Sequence, residues 1–238
     1  MADDGISQAL PGETATDLAR RKRSVATLTR CGIPTTDWLP VIVPQADARI
    51  PSKQAVAERL FAMFAVCVYC EARSGGESWS ETQKYIGRID EISGGGLGTM
   101  LTPQEKAFLA VKEPDQSALN KFGWRYECCH VLTWALGIIP ELGYPDRICD
   151  VSHIAKVLWG QTSLTDFVQS VELRPASELL DAADLVLRYD WVCVDARIHQ
   201  QDSPAGLNGE VVVEWHYAFN WLVGANGDAG WDDISPDT

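Results

Sequence analysis

Apolar positions along this chain recur at helical rather than strand spacing almost throughout, and turn-forming residues cut the pattern into a series of separate helices. Residues 53–73, KQAVAERLFAMFAVCVYCEAR, follow Ser52 as an N-cap and are apolar on most faces after the first turn. That pattern predicts a helix buried on several sides. Residues 79–92 are amphipathic and stop at SGGGLGT. Neither a preceding strand nor a following Lys-Ser or Lys-Thr gives those glycines the context of a phosphate cradle, so they predict a flexible loop. In TPQEKAFLA, Thr102 stands as N-cap, Pro103 at the first helical position and Glu105 at the third, which is a capping box. Residues 116–137 become apolar nearly all round after Phe122 and end at Gly137, which predicts one central helix. Shorter helices are expected at 152–159 and 163–171, and the longest periodic segment is 175–201. Near the start, a helix over 16–31 ends at Gly32 and Pro34, and its RRKR cluster predicts a solvated face.

Two stretches depart from the helical pattern. GIPTTDWLPVIVPQADARIPS carries four prolines and no period, which predicts an ordered, extended connector. The run Val211 to Val213 has room for one short strand leading into a helix. The expected architecture is all-α: a flexible segment over 1–15, then a single-domain multi-helix bundle over 16–238 with an extended Pro-rich connector near its N-terminus.

Composition narrows the function classes. The chain has 238 residues, 46% of them hydrophobic, enough for a sizeable core. Thirty-three acidic against twenty basic side chains give a net charge of -13, which opposes binding to phosphate backbones and anionic lipid. No nucleic-acid or membrane partner is expected. MADDGISQALPGETATDLARRKRS lacks the apolar run of a secretory signal, and nothing approaches the ~18 apolar residues of a membrane span. The seven cysteines therefore read as reduced thiols of a cytoplasmic protein. No metal and no cofactor is expected: Cys67 and Cys70 form a CxxC without a second one, and Cys128, Cys129 and His130 are consecutive, so a helix points them apart.

Candidate chemistry lies in charges set into apolar runs. Stepping about 100 degrees per residue from Leu187 places Leu180, Ala183, Trp191, Val194 and Ile198 within about 40 degrees of it. Asp184, Arg188, Asp195 and His199 form a stripe on one flank, between about 60 and 120 degrees. Arg125 and Glu127 interrupt FGWRYECCHVLTW, and Glu214, His216 and Asn220 interrupt VVVEWHYAFNWLVG. Glu214 and His216, two apart, never share a helix face, whereas His216 and Asn220 do. Glu214 would have to meet another element, such as Arg188 or Arg125. The set Arg125, Glu127, Arg188, Asp195, Arg197, Glu214 and His216 has two readings. One is an ion-pair network that sets helix register. The other is a pocket in which Glu214 or His216 is a general base and Arg188 or Arg125 orients an anionic substrate. The tail GWDDISPDT adds Trp231, whose indole argues for docking, with Asp232 and Asp233 as capping or ion-pairing groups.

These residues resemble a known family. WRYE at Trp124 to Glu127, ELLDAADLVLRYDWVCVDAR at Glu178 to Arg197, VEWHYAFNWL at Val213 to Leu222 and the terminal WDDISPDT look like the motifs of domain of unknown function 4272, a large bacterial family of unassigned activity. RKRSVATLTRCGIP and LTPQEKAFL are similar too, so the likeness covers most of the chain after about residue 16. An arginine is common in the family between the Glu and the His, where Trp215 stands here. That departure counts against an anion-binding role for this position. The resemblance implies a helical, intracellular bacterial domain and supplies neither a reaction nor catalytic residues.

Two function classes follow. The first is a non-catalytic cytosolic interaction protein, of immunity or neutralising type, whose acidic surface binds a basic toxin or enzyme. The alternative is an enzyme or small-molecule-binding domain with a pocket lined by Arg125, Arg188, Glu214 and His216. The first is the preferred expectation, with Glu214, His216 and Asn220 as a polar seam.

Overall fold

In the computed structural model, which describes residues 8–237, the protein is an all-α multi-helix fold with no strand among the described residues. The helices in chain order are α1 (Ala15–Arg30), α2 (Lys53–Ser74), α3 (Trp79–Ile92), α4 (Leu97–Met100), α5 (Pro103–Leu109) and α6 (Gln116–Gly123). There follow α7 (Arg125–Ala135), α8 (Val151–Trp159), α9 (Leu164–Ser170), α10 (Ala176–Ile198) and α11 (Gly209–Val223). The local signals act as anticipated at several ends. The Ser52 hydroxyl accepts the Ala55 N–H at 3.2 Å, and Thr102 with Glu105 closes the capping box of α5.

Two expectations are corrected. Val211 to Val213 are helical, because the Asn208 side chain accepts the N–H groups of Glu210 and Val211 and starts α11 at Gly209. Local capping thus outweighs the β-preference of three valines. The single central helix is two helices, broken at Trp124, which closes α6 through its N–H to Asn120 O and opens α7 by accepting the Glu127 N–H.

The described residues group into two compact units, each built from separated pieces of chain. The first takes in Met1–Ile50, Gly143–Arg147 and Arg174–Thr238, as far as these are described. Here α10 packs against both α1 and α11. Residues 33–50 carry no helix or strand, yet Leu39, Val41 and Val43 are buried in alternation, so the segment has an inner and an outer side. Its carbonyls are held by arginines. Arg20 donates to Val43 O at 3.4 Å, Arg21 to Asp37 O at 2.7 Å, and Arg188 to Leu39 O and Pro40 O at 3.3 and 3.2 Å. Arg20 and Arg21 are each 1% exposed, so the reading of RRKR as a solvated face fails for these two, while Lys22 is half-buried and Arg23 exposed. A segment without regular structure must place its buried C=O groups somewhere, and guanidinium forks serve here.

The expected flexible segment over 1–15 falls partly outside the described residues. Within them, Gln8 O accepts from Arg21 at 2.6 Å, and Glu13 accepts the N–H groups of Leu10 and Val41. At the other terminus Trp231 is buried edge-on against Tyr217 and Trp221, with ring centroids 5.1 and 5.5 Å away.

The second unit takes in Pro51–Leu142 and Ile148–Leu173 and is organised around α2, which touches every other helix of the unit. From Phe61 to Cys70 each residue of α2 is buried. Burying a large apolar side chain is worth about 1.5–3 kcal/mol, so this helix dominates the unit's core. Aromatic rings fill the spaces between helices: Phe61 meets Phe167 at 5.2 Å, Phe64 meets Trp159 at 5.4 Å, and Phe108 stacks on Phe122 at 4.1 Å. One buried ion pair, Arg59 to Glu105 at 2.5 Å, joins α2 to α5. Although α2 is long, no described helix is long and apolar enough to cross a membrane.

Candidate functional site

In the stretch of α2 from Phe61 to Ala72, Glu71 is the one exposed side chain. It lies in the last turn, where the helix dipole disfavours an anion. The Tyr126 hydroxyl donates to Glu71 Oε2 at 2.9 Å. Burial first, then the neighbouring Cys67 and the Glu71 carboxylate, push the Tyr126 phenol up, so it stays a proton donor at neutral pH.

Glu71 faces two clefts. One, of about 320 Å³, is lined by Cys67, Cys70, Trp124, Tyr126 and Glu127 among others. The second, of about 490 Å³, is lined by Val68, Ala72, Gly75, Glu77, Tyr85 and Trp159 beside Glu71. Tyr85 and Trp159 stand edge to face, 6.4 Å between centroids. Among the described residues, no lysine, arginine or histidine lines either cleft. Burial pushes the Cys70 thiol up to about 12, so it brings no charge. Carboxylates beside aromatic rings, with no competing cation, make a surface suited to a positively charged group.

The residues singled out from sequence divide between the units. Arg125 and Glu127 are on α7 in the second unit. Glu127 is buried and its Oε1 accepts the Cys149 N–H at 2.7 Å, while Arg125 Nη1 lies 3.8 Å from Cys128 Sγ. Arg188, Asp195, Arg197, Glu214, His216, Asn220, Trp231, Asp232 and Asp233 are in the first unit. Arg188 bonds to both oxygens of Asp184 at 3.1 and 3.2 Å, and the Ser24 hydroxyl donates to Asp184 at 2.5 Å. With its remaining N–H groups on the connector carbonyls, Arg188 is a structural staple, and its hydrogen bonds do not reach Glu214. The stripe on α10 is buried at one end only: Asp195 and His199 are exposed and pair with each other at 3.4 Å.

His216 is buried and its Nδ1 lies 2.8 Å from Asp190 Oδ2, also buried. Asn220 donates to Ser235 O at 2.8 Å, and its buried Oδ1 has no hydrogen-bond partner among the described residues. Glu214 is half-buried on α11, about 200 degrees round the helix from His216. Asp232 is half-buried and Asp233 exposed beside the docked Trp231. Asp190 also lines a cavity of about 360 Å³, with Cys193, Arg197, Gln200, Ser203 and Glu210 in its wall.

Glu71 and Asp190 were not among the residues picked from sequence. Each is a single carboxylate in a hydrophobic run, CVYCEAR and LRYDWVCV, and that was the available signal. Asp190 escaped because it lies about 60 degrees from Leu187 on the flank opposite the charged stripe.

The family model described as Domain of unknown function (DUF4272) matches residues 20–234. No curated protein and no solved structure matches the chain.

Proposed function

Since the chain belongs to the DUF4272 family, whose description carries no activity, we propose from its chemistry that it is a non-catalytic protein that binds a basic protein partner. The observation that carries this reading is the placement of Glu71: an exposed carboxylate at the negative end of the most buried helix, between two clefts that no cation lines. A lysine or arginine side chain entering beside Tyr85 and Trp159 would gain aromatic faces for its stem and carboxylates for its head. The net charge of -13 supports the same reading, since it draws a basic surface in from a distance. A cognate toxin or enzyme with a basic face is the partner class, and the protein would then act by occlusion, as immunity or neutralising proteins do.

Calorimetric titration with a synthetic octapeptide of alternating lysine and arginine tests the proposal. Binding should weaken steeply as salt is raised, and E71Q and W159A should each cost about tenfold in affinity, roughly 1.4 kcal/mol. Affinity indifferent to salt and to both substitutions would overturn it.

A further inference from the structure

In the first unit, α10 ends and α11 begins around a cavity that shares no lining residue with the clefts at Glu71. Its wall holds groups of opposite charge that do not meet. Asp190 is 2% exposed, and His216 orients its carboxylate through the 2.8 Å contact at Oδ2. Glu210 adds a second carboxylate and Arg197 a guanidinium. Among the described residues, the side chains of Arg197 and Glu210 make no hydrogen bond or ion pair, with each other or with anything else. Cys193 sits among these charges. Burial pushes its thiol up and Asp190 adds to that, while a hydrogen bond with Ser203 and the Arg197 charge oppose it.

The loop that closes the cavity is held in an unusual backbone. Gln200 has φ of 54° and Ala205 has φ of 53°, left-handed values that non-glycine residues rarely adopt. Gln200, Gln201 and Ser203 line the cavity from this loop and supply neutral donors and acceptors. At about 360 Å³ the space suits a small metabolite, at the lower end of the range for ligand sites.

We propose that this cavity is a binding site for a small zwitterion of the amino-acid type, with Arg197 taking the carboxylate and Asp190 and Glu210 the ammonium group. A dipolar ligand satisfies both unspent charges at once, which a simple anion or cation cannot do. The guanidinium offers a two-pronged match to a carboxylate, and the buried, oriented Asp190 is a ready acceptor for an ammonium.

The test is a titration of the full chain with the free amino acids, followed by thermal shift and calorimetry, each set beside its N-acetyl and C-amide derivatives. At least one free amino acid should bind saturably, and capping either end should weaken it about tenfold or more. R197M and E210Q, both at exposed positions, should keep the melting temperature of the free protein and weaken binding to a similar extent. The proposal is overturned if no free amino acid binds, if capped and free forms bind alike, or if both variants bind as the wild type does.

Discussion

The two units bury their interiors by opposite means. In the second, α2 is buried because its side chains are apolar from Phe61 to Cys70, and the buried charges are few, among them the Arg59–Glu105 pair and Glu127. In the first, α1 buries Asp17, Arg20, Arg21 and Ser24 beside Val25 and Leu28, and α10 buries Asp184, Arg188 and Asp190. The difference follows from what each helix faces. α2 is surrounded by other helices, which satisfy their own backbone, so only apolar contact is needed. α1 and α10 share their unit with a connector of no regular structure, whose carbonyls require donors. Buried arginine here is a consequence of irregular backbone.

The largest effect that would sharpen this contrast comes from breaking one staple. Arg188→Leu leaves the buried Asp184 carboxylate with the Ser24 hydroxyl but no countercharge, removes the donor from the Leu39 and Pro40 carbonyls, and should cost about 3–5 kcal/mol in urea unfolding. Phe61→Ala in the second unit should cost a similar 3–5 kcal/mol by leaving a cavity. The two differ in rescue: adding Asp184→Leu to Arg188→Leu should recover part of the loss, because the uncompensated charge is then gone. A double variant no more stable than the single one would show that the connector carbonyls carry the cost.

A middle-sized effect is expected at Gly224. It caps α11 with φ of 69°, and an added Cβ would lie 2.8 Å from Arg49 Cβ. Gly224→Ala should therefore cost about 1–3 kcal/mol, read as a lowered melting temperature.

Acid should act selectively on the charged interior. Burial pushes the Asp17 carboxyl up, but hydrogen bonds from the Thr14 hydroxyl and N–H and from the Gln45 N–H, with the Arg20 charge, hold it below the usual value. A folded pKa below the unfolded one means that the stabilisation is present at neutral pH and is lost as pH falls through the folded value. Melting temperature followed from neutral pH down to about pH 3 should drop less steeply in Asp17→Asn, from a lower starting point. Parallel profiles for variant and wild type would remove Asp17 from the acid response.

The smallest effect is chemical rather than energetic. Cys31 is exposed, while burial pushes the thiols of Cys67, Cys70, Cys149 and Cys193 up. Ellman's reagent should label one thiol quickly in the native protein and all seven only after unfolding. Rapid labelling of Cys67, Cys70, Cys128 or Cys129 would show that the core of the second unit opens readily.

Much of the helical layout was legible before the structure. The capping box at Thr102 and Glu105, the cap at Ser52 and the apolar run of α2 are local signals, and each acts through neighbours within one or two turns. The docking of Trp231 was legible for a similar reason, since an indole is seldom left in water. The break at Trp124 was not, because the apolar run continues across it, and the helical state of Val211 to Val213 was not, because three valines favour a strand until the Asn208 cap overrides them.

The candidate sites were half legible. The sequence alone determined that Glu214 and His216 cannot share a helix face and that Asp184 and Arg188 can pair, because helical geometry settles both. Only the tertiary structure decided that Arg20 and Arg21 are buried, that His216 is answered by Asp190, and that Glu71 faces two clefts. Each of those outcomes depends on groups distant in the chain, connector carbonyls, a second helix or an unfilled space, and periodicity within one helix carries no information about what will stand opposite it.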